Sequence, residues 1–410
     1  MLIVIRNGRV VRNGSESLAD VVVRDGLVES VRPDAAEEYV GEKVDCLIDA
    51  SGCLVMPALA DVHVHFREPG NPEKETVLTG SKAAAHGGYS AVCTMPNLDP
   101  APDSPDNIRV EQTLIDESAV IDVLPFSTIT KGRKGLETVD YAAMKPLCIG
   151  FSDDGSGVQD EGVMRAAMKG IASVDSILSA HCEDVRYGDA PQSEWSEIER
   201  DLRLAEETGC RYHVCHISSA RSVELIRAAK ARGVNVTCET APHYLTLCDA
   251  EIEDDGRFKM NPPLRSADDR AALIEGIVDG TIDVIATDHA PHTAEQKSKG
   301  FCGSANGIVG LETAFPVIYT RLVKTGIITP AKAVELMSES PRRIFGIDGG
   351  LREGEKAEIA VFDITDEYRI DSSSFETKGR STPFEGWSVS GRCIAVIHNG
   401  RIVYKSDNRI

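Results

Sequence analysis

The 410-residue sequence lacks any apolar run long enough to cross a membrane, and it does not open on a charged segment followed by an apolar stretch. Basic residues are scarce, since 44 Lys and Arg stand against 65 Asp and Glu, a formal net charge of -21. Nucleic acid and anionic membrane surfaces would repel such a chain. We therefore expect a cytoplasmic protein whose main partner is neither nucleic acid nor a membrane.

Cysteine pairs with metal-binding or redox spacing are also missing. The eleven cysteines are an odd number and include no CxxC, which favours a reduced compartment over a disulfide framework. Low-complexity tracts are absent from a composition that is 42% hydrophobic and 27% charged, as in ordinary folded proteins. The length suffices for one large barrel with a smaller companion domain.

Both ends of the chain carry the pattern of β-hairpins. Asn-Gly or Asp-Gly pairs, the strongest short hairpin signal, separate short apolar runs at Asn7-Gly8, Asn13-Gly14, Asp25-Gly26 and Asn399-Gly400. Neither end has enough strands for a stable sheet by itself. We therefore predict that residues 1–54 and 355–410 together form one composite β-sandwich domain.

Residues 55–354 alternate between apolar strand-like runs and segments with helical periodicity. The eight runs are 59–66, 89–95, 121–129, 148–152, 177–181, 212–217, 234–239 and 283–287, and helical segments between them include 72–86, 193–208, 220–232 and 267–278. This alternation predicts a parallel α/β sheet. Eight such strands close into a TIM-like (β/α)8 barrel, in which the reactive groups lie at the carboxyl ends of the strands.

Candidate metal ligands follow these strands. Alternate strand residues point the same way, so His63 and His65 would share one face, opposite Val62, Val64 and Phe66. Other strand ends carry Asp153, Asp154, His181, His216 and Asp288. Asp153 and Asp154 are adjacent and point opposite ways, so one of them counts. The resulting four histidines and two carboxylates exceed what one zinc ion takes. Two metal ions bridged by a carboxylate would use them all, and a water shared by both would ionise near neutral pH to a nucleophile.

Two further histidines were weighed for this cluster. Strand alternation gives His213 the opposite parity to His216, so it should point toward the helices. His243 follows the seventh strand and could line the barrel mouth. It is the reserve candidate for the fourth imidazole.

Several stretches carry a resemblance to a known family. Residues 61–70, Asp-Val-His-Val-His-Phe-Arg-Glu-Pro-Gly, and residues 286–292, Ala-Thr-Asp-His-Ala-Pro-His, followed by Lys297, resemble the two signature stretches of the class I dihydroorotase family in the amidohydrolase superfamily. Further similar stretches follow in order at 95–97, 151–155, 180–183, 214–218, 259–265 and 383–387. The resemblance therefore runs nearly end to end.

This resemblance implies a zinc-dependent cyclic amide hydrolase. The expected reaction is the reversible closure of N-carbamoyl-L-aspartate to L-dihydroorotate, in de novo pyrimidine (UMP) synthesis, with a zinc-bridging hydroxide as nucleophile. The resemblance assigns the ligands of two zinc ions: His63, His65 and Asp288 for one, His181 and His216 for the other, with Asp154 as the bridge. Asp288 would also shuttle the proton. Asp154 is preferred to Asp153 because of its spacing to His181.

A branch of the superfamily bridges its metals with a carboxylated lysine at the end of strand four. Here Lys145 lies before that strand, so the chain resembles the branch that uses aspartate. For the substrate carboxylate, Arg67 lies two residues after His65 and offers a planar fork of donors. The resemblance adds Asn97 and His292 to this clamp and gives Asn261 a contact with the ring.

Two alternatives were considered. An allantoinase or hydantoinase-type cyclic amidase would act on substrates without the ring carboxylate, and such relatives tend to lack an arginine at the position of Arg67. A non-catalytic dihydroorotase-like partner of aspartate carbamoyltransferase would lack metal ligands, yet every expected ligand is present. The sequence leaves open whether the chain is a homodimer, whether an active enzyme associates with aspartate carbamoyltransferase, and whether zinc, cobalt or manganese is bound.

A long loop is predicted to cover the barrel mouth. Residues 293–306, together with Gly307, contain three glycines and enough length to form a lid. Whether this segment orders without a partner is left open by the sequence.

Overall fold

The strands of this protein form two assemblies within residues 1–406, the part of the chain that the computed structural model describes. The strands are β1 (Leu2–Arg12), β2 (Ser15–Arg24), β3 (Leu27–Arg32), β4 (Cys46–Asp49), β5 (Cys53–Pro57), β6 (Leu59–Val64), β7 (Tyr89–Thr94), β8 (Asp122–Pro125), β9 (Ile177–Ala180), β10 (Arg211–Val214), β11 (Val236–Thr240), β12 (Val284–Ile285), β13 (Ile359–Arg369), β14 (Ser388–His398) and β15 (Arg401–Lys405).

The first assembly joins the two ends of the chain in one eight-stranded sheet. Its order is β15-β14-β13-β5-β1-β2-β3, with β4 beside β1. Strand β5 links the ends, because it runs parallel to β1 on one side and antiparallel to β13 on the other. Apolar side chains from both ends, including Ile3, Val21, Ile359 and Ile397, share one buried cluster. The two ends of the chain thus pair into one terminal β domain, as the sequence predicted, and its strands form a single sheet.

Three of the four predicted hairpin turns are confirmed. Asn13-Gly14, Asp25-Gly26 and Asn399-Gly400 connect β1 to β2, β2 to β3 and β14 to β15. All six residues have positive φ, the conformation that a type I′ turn requires and that Asn, Asp and Gly tolerate.

The fourth prediction, a hairpin turn at Asn7-Gly8, is wrong. Strand β1 continues through this pair and stays paired with β2, since Ile5 pairs with Val21 and Gly8 pairs with Ala19. The register shifts between Ile5 and Gly8, so the pair forms a β-bulge. Glycine is required there because a Cβ on Gly8 would lie 2.5 Å from Cγ2 of Val55.

The second assembly is the predicted parallel barrel. Strands β6-β7-β8 form one arc and β9-β10-β11-β12 the other. The segment after residue 147 closes one gap, since Phe151 bridges to Ser127 and Leu178. The other gap is closed where the His65 amide donates to the His289 carbonyl oxygen at 2.8 Å. Eight chain segments therefore complete the ring.

The predicted helical segments are helical, with small differences in their bounds. The α-helices are α1 (Val77–His86), α2 (Pro105–Ser118), α3 (Tyr141–Met144), α4 (Glu161–Ser173), α5 (Pro191–Thr208), α6 (Ala220–Ala231), α7 (Pro242–Thr246), α8 (Ala267–Asp279), α9 (Ala294–Lys297), α10 (Gly300–Gly303), α11 (Ala314–Ile318), α12 (Pro330–Val334) and α13 (Ser340–Phe345). Short π-helical segments at Tyr319–Val323 and Glu335–Glu339 continue α11 and α12. None of the described helices is long and apolar enough to cross a membrane.

Helix α1 shows how these bounds are set. It begins at Val77 rather than at residue 72, because the Thr76 side chain accepts a hydrogen bond from the Thr79 amide and so caps the first turn. On the barrel side, the ring of Phe66 fills the space that a Cβ on Gly80 would occupy, at 2.3 Å. The glycine lets the first strand segment and α1 pack closely.

Strand β6 departs from simple alternation. Val64 and Phe66 pack with side chains of α1, as predicted, but Val62 packs with Ala60, Ala91 and Cys93 in a separate cluster inside the barrel. The pairing of β6 with β7 shifts register between Asp61 and Val64. Such a bulge places two consecutive residues on one side of the sheet, so Val62 and His63 both face the interior.

The domain division proposed from the sequence assigns residues 1–54 and 355–410 to the terminal domain and 55–354 to the barrel. Its first boundary falls within β5, which pairs only with strands of the terminal sheet among the described residues. Residues 407–410 lie outside the described part of the chain. We keep this division as a proposal.

A buried carboxyl group behind β7 makes stability sensitive to pH. Glu111 of α2 is 1% exposed, and its Oε1 accepts from Thr94 Oγ1 at 2.7 Å. Burial raises the pKa of Glu111 to about 8. The native state therefore holds a proton that the unfolded chain releases, so stability falls as pH rises from the unfolded value to about 8.

We expect Glu111→Gln to flatten this dependence. Its melting temperature should match the parent protein near pH 5 and exceed it by several degrees near pH 9, because each pKa unit corresponds to about 1.4 kcal/mol. Differential scanning calorimetry across that range measures the difference. Glu117→Gln, the same change at an exposed position of α2, is the control. If the melting temperatures of Glu111→Gln and the parent protein changed with pH by the same amount, the raised pKa of Glu111 would be contradicted.

Candidate active site

The predicted metal ligands meet at the carboxyl-terminal mouth of the barrel. The contacts centre on Asp154, which follows the segment that closes the barrel. Its Oδ1 lies 3.2 Å from His63 Nε2, 3.6 Å from His181 Nδ1 and 3.5 Å from His216 Nε2, and its Oδ2 lies 3.4 Å from His65 Nε2. One carboxylate thus contacts all four imidazoles that the sequence analysis selected.

The remaining predicted ligand, Asp288, lies on one side of this cluster. Its Oδ1 is 3.2 Å from His65 Nε2 and 3.6 Å from His63 Nε2. On the other side, His181 Nδ1 and His216 Nε2 are 2.9 Å apart. Asp154 therefore lies between two groups of side chains, with His63, His65 and Asp288 in one and His181 and His216 in the other.

Asp153 takes no part in this cluster. Its Oδ1 accepts from the backbone amides of Ile129 and Thr130, and its Oδ2 accepts from the Thr130 hydroxyl. These bonds anchor the loop after β8. The adjacent aspartates therefore have separate surroundings, one among imidazoles and the other among backbone donors.

Two of the six side chains reach the mouth through unusual backbone conformations. His216 has φ 33° and Asp288 has φ 50°, in the left-handed region that residues other than glycine seldom adopt. Each comes two or three residues after its strand, where the extended pattern has ended. The backbone therefore turns these side chains inward.

The prediction that His213 points toward the helices is wrong for the same reason. Its Nε2 lies 3.1 Å from Glu239 Oε2 inside the barrel, and its Nδ1 lies 2.7 Å from Thr237 Oγ1. Strand alternation from His216 back to His213 does not apply, because β10 ends at Val214. His216 has left the alternation, so both histidines face inward.

His243, the reserve candidate, is buried but is not among the ligand groups. Its ring lies 4.1 Å from that of Tyr244, and its Nε2 has no hydrogen-bond partner within residues 1–406. Burial lowers the pKa of His243 to about 4. It is a neutral side chain beneath the mouth.

The histidines are oriented by partners that the sequence analysis did not name as site residues. Glu239 Oε1 lies 2.6 Å from His63 Nδ1, and Glu183 Oε2 lies 2.8 Å from His181 Nε2. In each case the opposite ring nitrogen faces Asp154. Carboxylate partners of this kind fix the tautomer and orientation of a metal-binding histidine. The sequence carries no signal for Glu239, because its role depends on the contact with His63 across the barrel.

The residues fit a metal site. His63 Nε2 and Asp154 Oδ1 are buried, and neither makes a hydrogen bond to any described residue. Such orphaned polar atoms are rare in folded proteins, and a divalent cation between them would satisfy both. Imidazole nitrogen and carboxylate oxygen are ligands that zinc accepts. The groups His63-His65-Asp154 and Asp154-His181-His216 each have ligand atoms within 4.8 Å of one another.

The electrostatics of the cluster favour cations. Burial alone would raise the pKa of Asp154, but the surrounding imidazoles, His63 foremost, hold it well below its usual range. Burial likewise opposes the charged form of His181, but the neighbouring carboxylates of Asp154 and Glu183 raise its pKa to about 10. The carboxylates are thus anionic and in need of positive charge, which a bound metal ion supplies.

The histidine–carboxylate cluster lines part of a cavity of about 200 Å³ at the barrel mouth. The predicted substrate-binding residues line the same cavity: Arg67, Asn97, Asn261 and His292. Asn97 Oδ1 also lies 2.9 Å from His65 Nδ1, and Asn261 Nδ2 donates to Glu183 at 3.0 Å. A larger groove of about 980 Å³ lies outside the barrel between α5 and α6. It is lined by charged side chains and contains no histidine.

Arg67 is a partly buried cation in this cavity. Its Nε donates to the Pro291 carbonyl oxygen at 3.3 Å, and it forms no ion pair with a carboxylate in the described chain. Burial lowers the pKa of Arg67 to about 10, so the guanidinium remains charged near neutral pH. A desolvated guanidinium without an anion is suited to bind one.

A parallel barrel with a shared histidine–carboxylate cluster at its mouth defines a metal-dependent hydrolase of the amidohydrolase type. The solved L-hydantoinase (dihydropyrimidinase) from Arthrobacter aurescens has this fold, with a TM-score of 0.89, 26% identity and coverage of 100% of this chain and 97% of that chain. Dihydropyrimidinase from Brevibacillus agri has a TM-score of 0.86 at 22% identity, over 100% of this chain and 96% of its own, and so is similar in fold.

Sequence comparison narrows the class. The family described as Dihydro-orotase-like matches residues 52–222. Proteins named dihydroorotase from Bacillus cereus and Bacillus cytotoxicus are each 43% identical to this chain over 427 residues, covering 99% of both sequences. The chain belongs to the dihydroorotase family.

The shared carboxylate leads to a prediction about metal content. Asp154→Asn should lower the affinity for Zn2+ by at least about a hundredfold, more than the loss from removing an orienting partner, because both ligand groups depend on that oxygen pair. Titration against a zinc-chelating dye measures this. Asp153→Asn, the control at the neighbouring position, should keep parental zinc affinity. Equal affinities for the two variants would show that Asp154 is not a shared ligand.

Proposed function

We propose that this chain is a dihydroorotase, which interconverts N-carbamoyl-L-aspartate and L-dihydroorotate, with two zinc ions held at the barrel mouth. The observation that carries the proposal is Arg67, a partly buried guanidinium that forms no ion pair among residues 1–406, beside the histidine–carboxylate cluster. L-Dihydroorotate is a cyclic amide with a carboxylate on its ring. Its ring carboxylate would meet Arg67, and its amide would meet the histidine–carboxylate cluster.

The metal ligands in this proposal are those that the resemblance implied. His63, His65 and Asp288 would hold one zinc ion, His181 and His216 the other, and Asp154 both. When bound, the two ions would supply an ionised water as nucleophile and polarise the amide carbonyl. Glu239 and Glu183 would keep His63 and His181 in the tautomers that present a lone pair toward Asp154.

Asp288 would move the proton. Its Oδ1 lies among the imidazoles of His63 and His65, and its carboxylate also lines the cavity. Burial would raise the pKa of Asp288, but the hydrogen bond from His65 leads the interactions that lower it below its ordinary value. The carboxylate is therefore ionised near neutral pH, ready to accept a proton from the nucleophile and return it to the leaving ring nitrogen.

Arg67, Asn97, Asn261 and His292 would bind the substrate. Arg67 can hold the ring carboxylate through two hydrogen bonds. Burial, followed by the nearby Arg67 charge, lowers the pKa of His292 to about 4, so this imidazole is neutral and adds no second cation. Among these four residues, Arg67 is thus the cation that would meet the ring carboxylate.

Allantoin and dihydrouracil are the relevant competing substrates, because an allantoinase or hydantoinase-type enzyme would act on such uncharged rings. With an uncharged ring in the cavity, the Arg67 guanidinium would lose its hydration without gaining an anionic partner. The observation that favours dihydroorotate is thus the same unpaired guanidinium.

A cytoplasmic location for the enzyme follows from the same proposal, since its substrates are intermediates of pyrimidine synthesis. Homodimer formation and association with aspartate carbamoyltransferase are compatible with the proposal and are separate from the chemistry of the site.

Removing the arginine should change substrate preference. We expect Arg67→Ala to lower kcat/KM for L-dihydroorotate by about a hundredfold or more, since a charged pair of hydrogen bonds contributes about 3 kcal/mol. Turnover of dihydrouracil should change by less than about threefold. Steady-state assays with both rings and allantoin, with zinc measured on the same samples, test this. Parental protein that prefers an uncharged ring would contradict the proposed substrate.

Asp288 offers a test of the proton shuttle, with the zinc content measured on every sample because Asp288 is also a proposed metal ligand. Asp288→Asn keeps the shape and one oxygen but cannot accept a proton, so kcat should fall by at least about a thousandfold while KM for L-dihydroorotate changes little. Glu183→Gln, which alters an orienting partner instead, should reduce kcat by a smaller factor of about 10–100. Comparable losses in the two variants would argue against a shuttle role for Asp288.

A further inference from the structure

Lys297 is a buried ammonium group surrounded by backbone oxygens. It is the last residue of α9 and is 8% exposed. Its Nζ donates to the carbonyl oxygens of Lys259, Ala305 and Gly307 at 3.0, 2.7 and 2.6 Å. An ammonium has three N–H donors, so these bonds use all of them. Lys297 forms no ion pair with a carboxylate in the described chain.

The three carbonyl groups belong to two loops that form one wall of the cavity. Lys259 precedes Asn261 by two residues, and Ala305 and Gly307 flank Asn306. Asn261, Asn306 and Gly307 all line the cavity. The loops also meet directly, since the Gly307 amide donates to the Lys259 carbonyl oxygen at 3.0 Å.

One more cavity residue depends on this arrangement. His292 Nε2 donates to the Asn306 carbonyl oxygen at 2.7 Å. That carbonyl lies between the two, Ala305 and Gly307, that Lys297 holds. The position of the His292 ring is therefore set by the same segment, 293–307, that the sequence analysis identified as a lid.

We propose that Lys297 is a positioning residue for substrate binding, whose ammonium group joins the Asn261 loop to the Asn306 and His292 segment as one fixed wall. This inference rests on the proposed dihydroorotase function. Of the proposed metal ligands, only Asp288 is on the same loop as His292, and it lies before the 293–307 segment that Lys297 holds. The wall would therefore act on substrate affinity and leave the metal cluster intact.

A charged donor is what this position needs. Charge-assisted hydrogen bonds are about twice as strong as neutral ones, and each buried carbonyl left without a donor costs free energy. Methionine has a similar length but no donor, so Lys297→Met would leave the Ala305 and Gly307 carbonyl oxygens without their ammonium partner. Beside the cavity, the two loops would then keep the Gly307–Lys259 backbone bond. The bond from the Phe301 amide to Asp254 Oδ1 would also remain, but neither of these residues lines the cavity.

The test compares Lys297→Met with Lys299→Met, which removes the same charge from an exposed position of the same segment. For Lys297→Met, KM for L-dihydroorotate should rise at least about tenfold, with kcat within about threefold and zinc content unchanged. Lys299→Met should behave as the parent. Lys297→Gln, which keeps two N–H donors, should give an intermediate KM and supplies the comparison if the methionine variant does not fold.

A second readout is independent of turnover. Cys302 is exposed within the same segment, and a fluorophore attached there reports its mobility by time-resolved anisotropy. Added nanosecond motion in Lys297→Met but not in Lys299→Met is the expected result. Parental KM and mobility in Lys297→Met, or a fall in kcat with unchanged KM, would overturn the inference. Absence of dihydroorotate turnover in the parent protein would instead refute the proposed function.

Discussion

Four buried imidazoles around one buried carboxylate are the constraint on which this structure depends. Asp154 lies within 3.6 Å of His63, His181 and His216 and 3.4 Å from His65. Charged groups withdrawn from water are costly unless each is matched by an opposite charge or a metal ion. The site therefore requires each strand end to deliver its side chain to within a few tenths of an ångström, and a closed barrel meets this requirement because its strands hold one another in register.

Much of this arrangement was accessible from the sequence. The eight apolar runs, the helices between them and the hairpin pairs at both ends follow local rules of periodicity and turn chemistry. Nearly all of these predicted elements are confirmed. The candidate site followed from one geometric rule, that the carboxyl ends of parallel strands meet at one mouth. That rule brought together histidines and aspartates far apart in the chain without any knowledge of their contacts.

The failures have a common physical origin in places where the backbone leaves its regular pattern. Alternation misplaced Val62 because a bulge in β6 puts two consecutive side chains inside, and it misplaced His213 because His216 lies beyond the strand with a positive φ. The Asn7-Gly8 pair forms a bulge because β2 continues to pair on both sides of it. Partners such as Glu239 were missed because a buried glutamate on a strand has no sequence signature until its neighbour across the barrel is known.

The place of β5 between β1 and β13 has a consequence for how the protein is made. A ribosome releases β5 some three hundred residues before β13, the strand that covers its other edge. Throughout that interval an apolar strand with unpaired backbone groups stays open to association with other chains. Pairing between such distant segments is also slow to form. The C-terminal part also contacts the barrel, since Thr377 lies against Glu75 and His289, so the barrel acquires its last contacts only when synthesis is nearly complete.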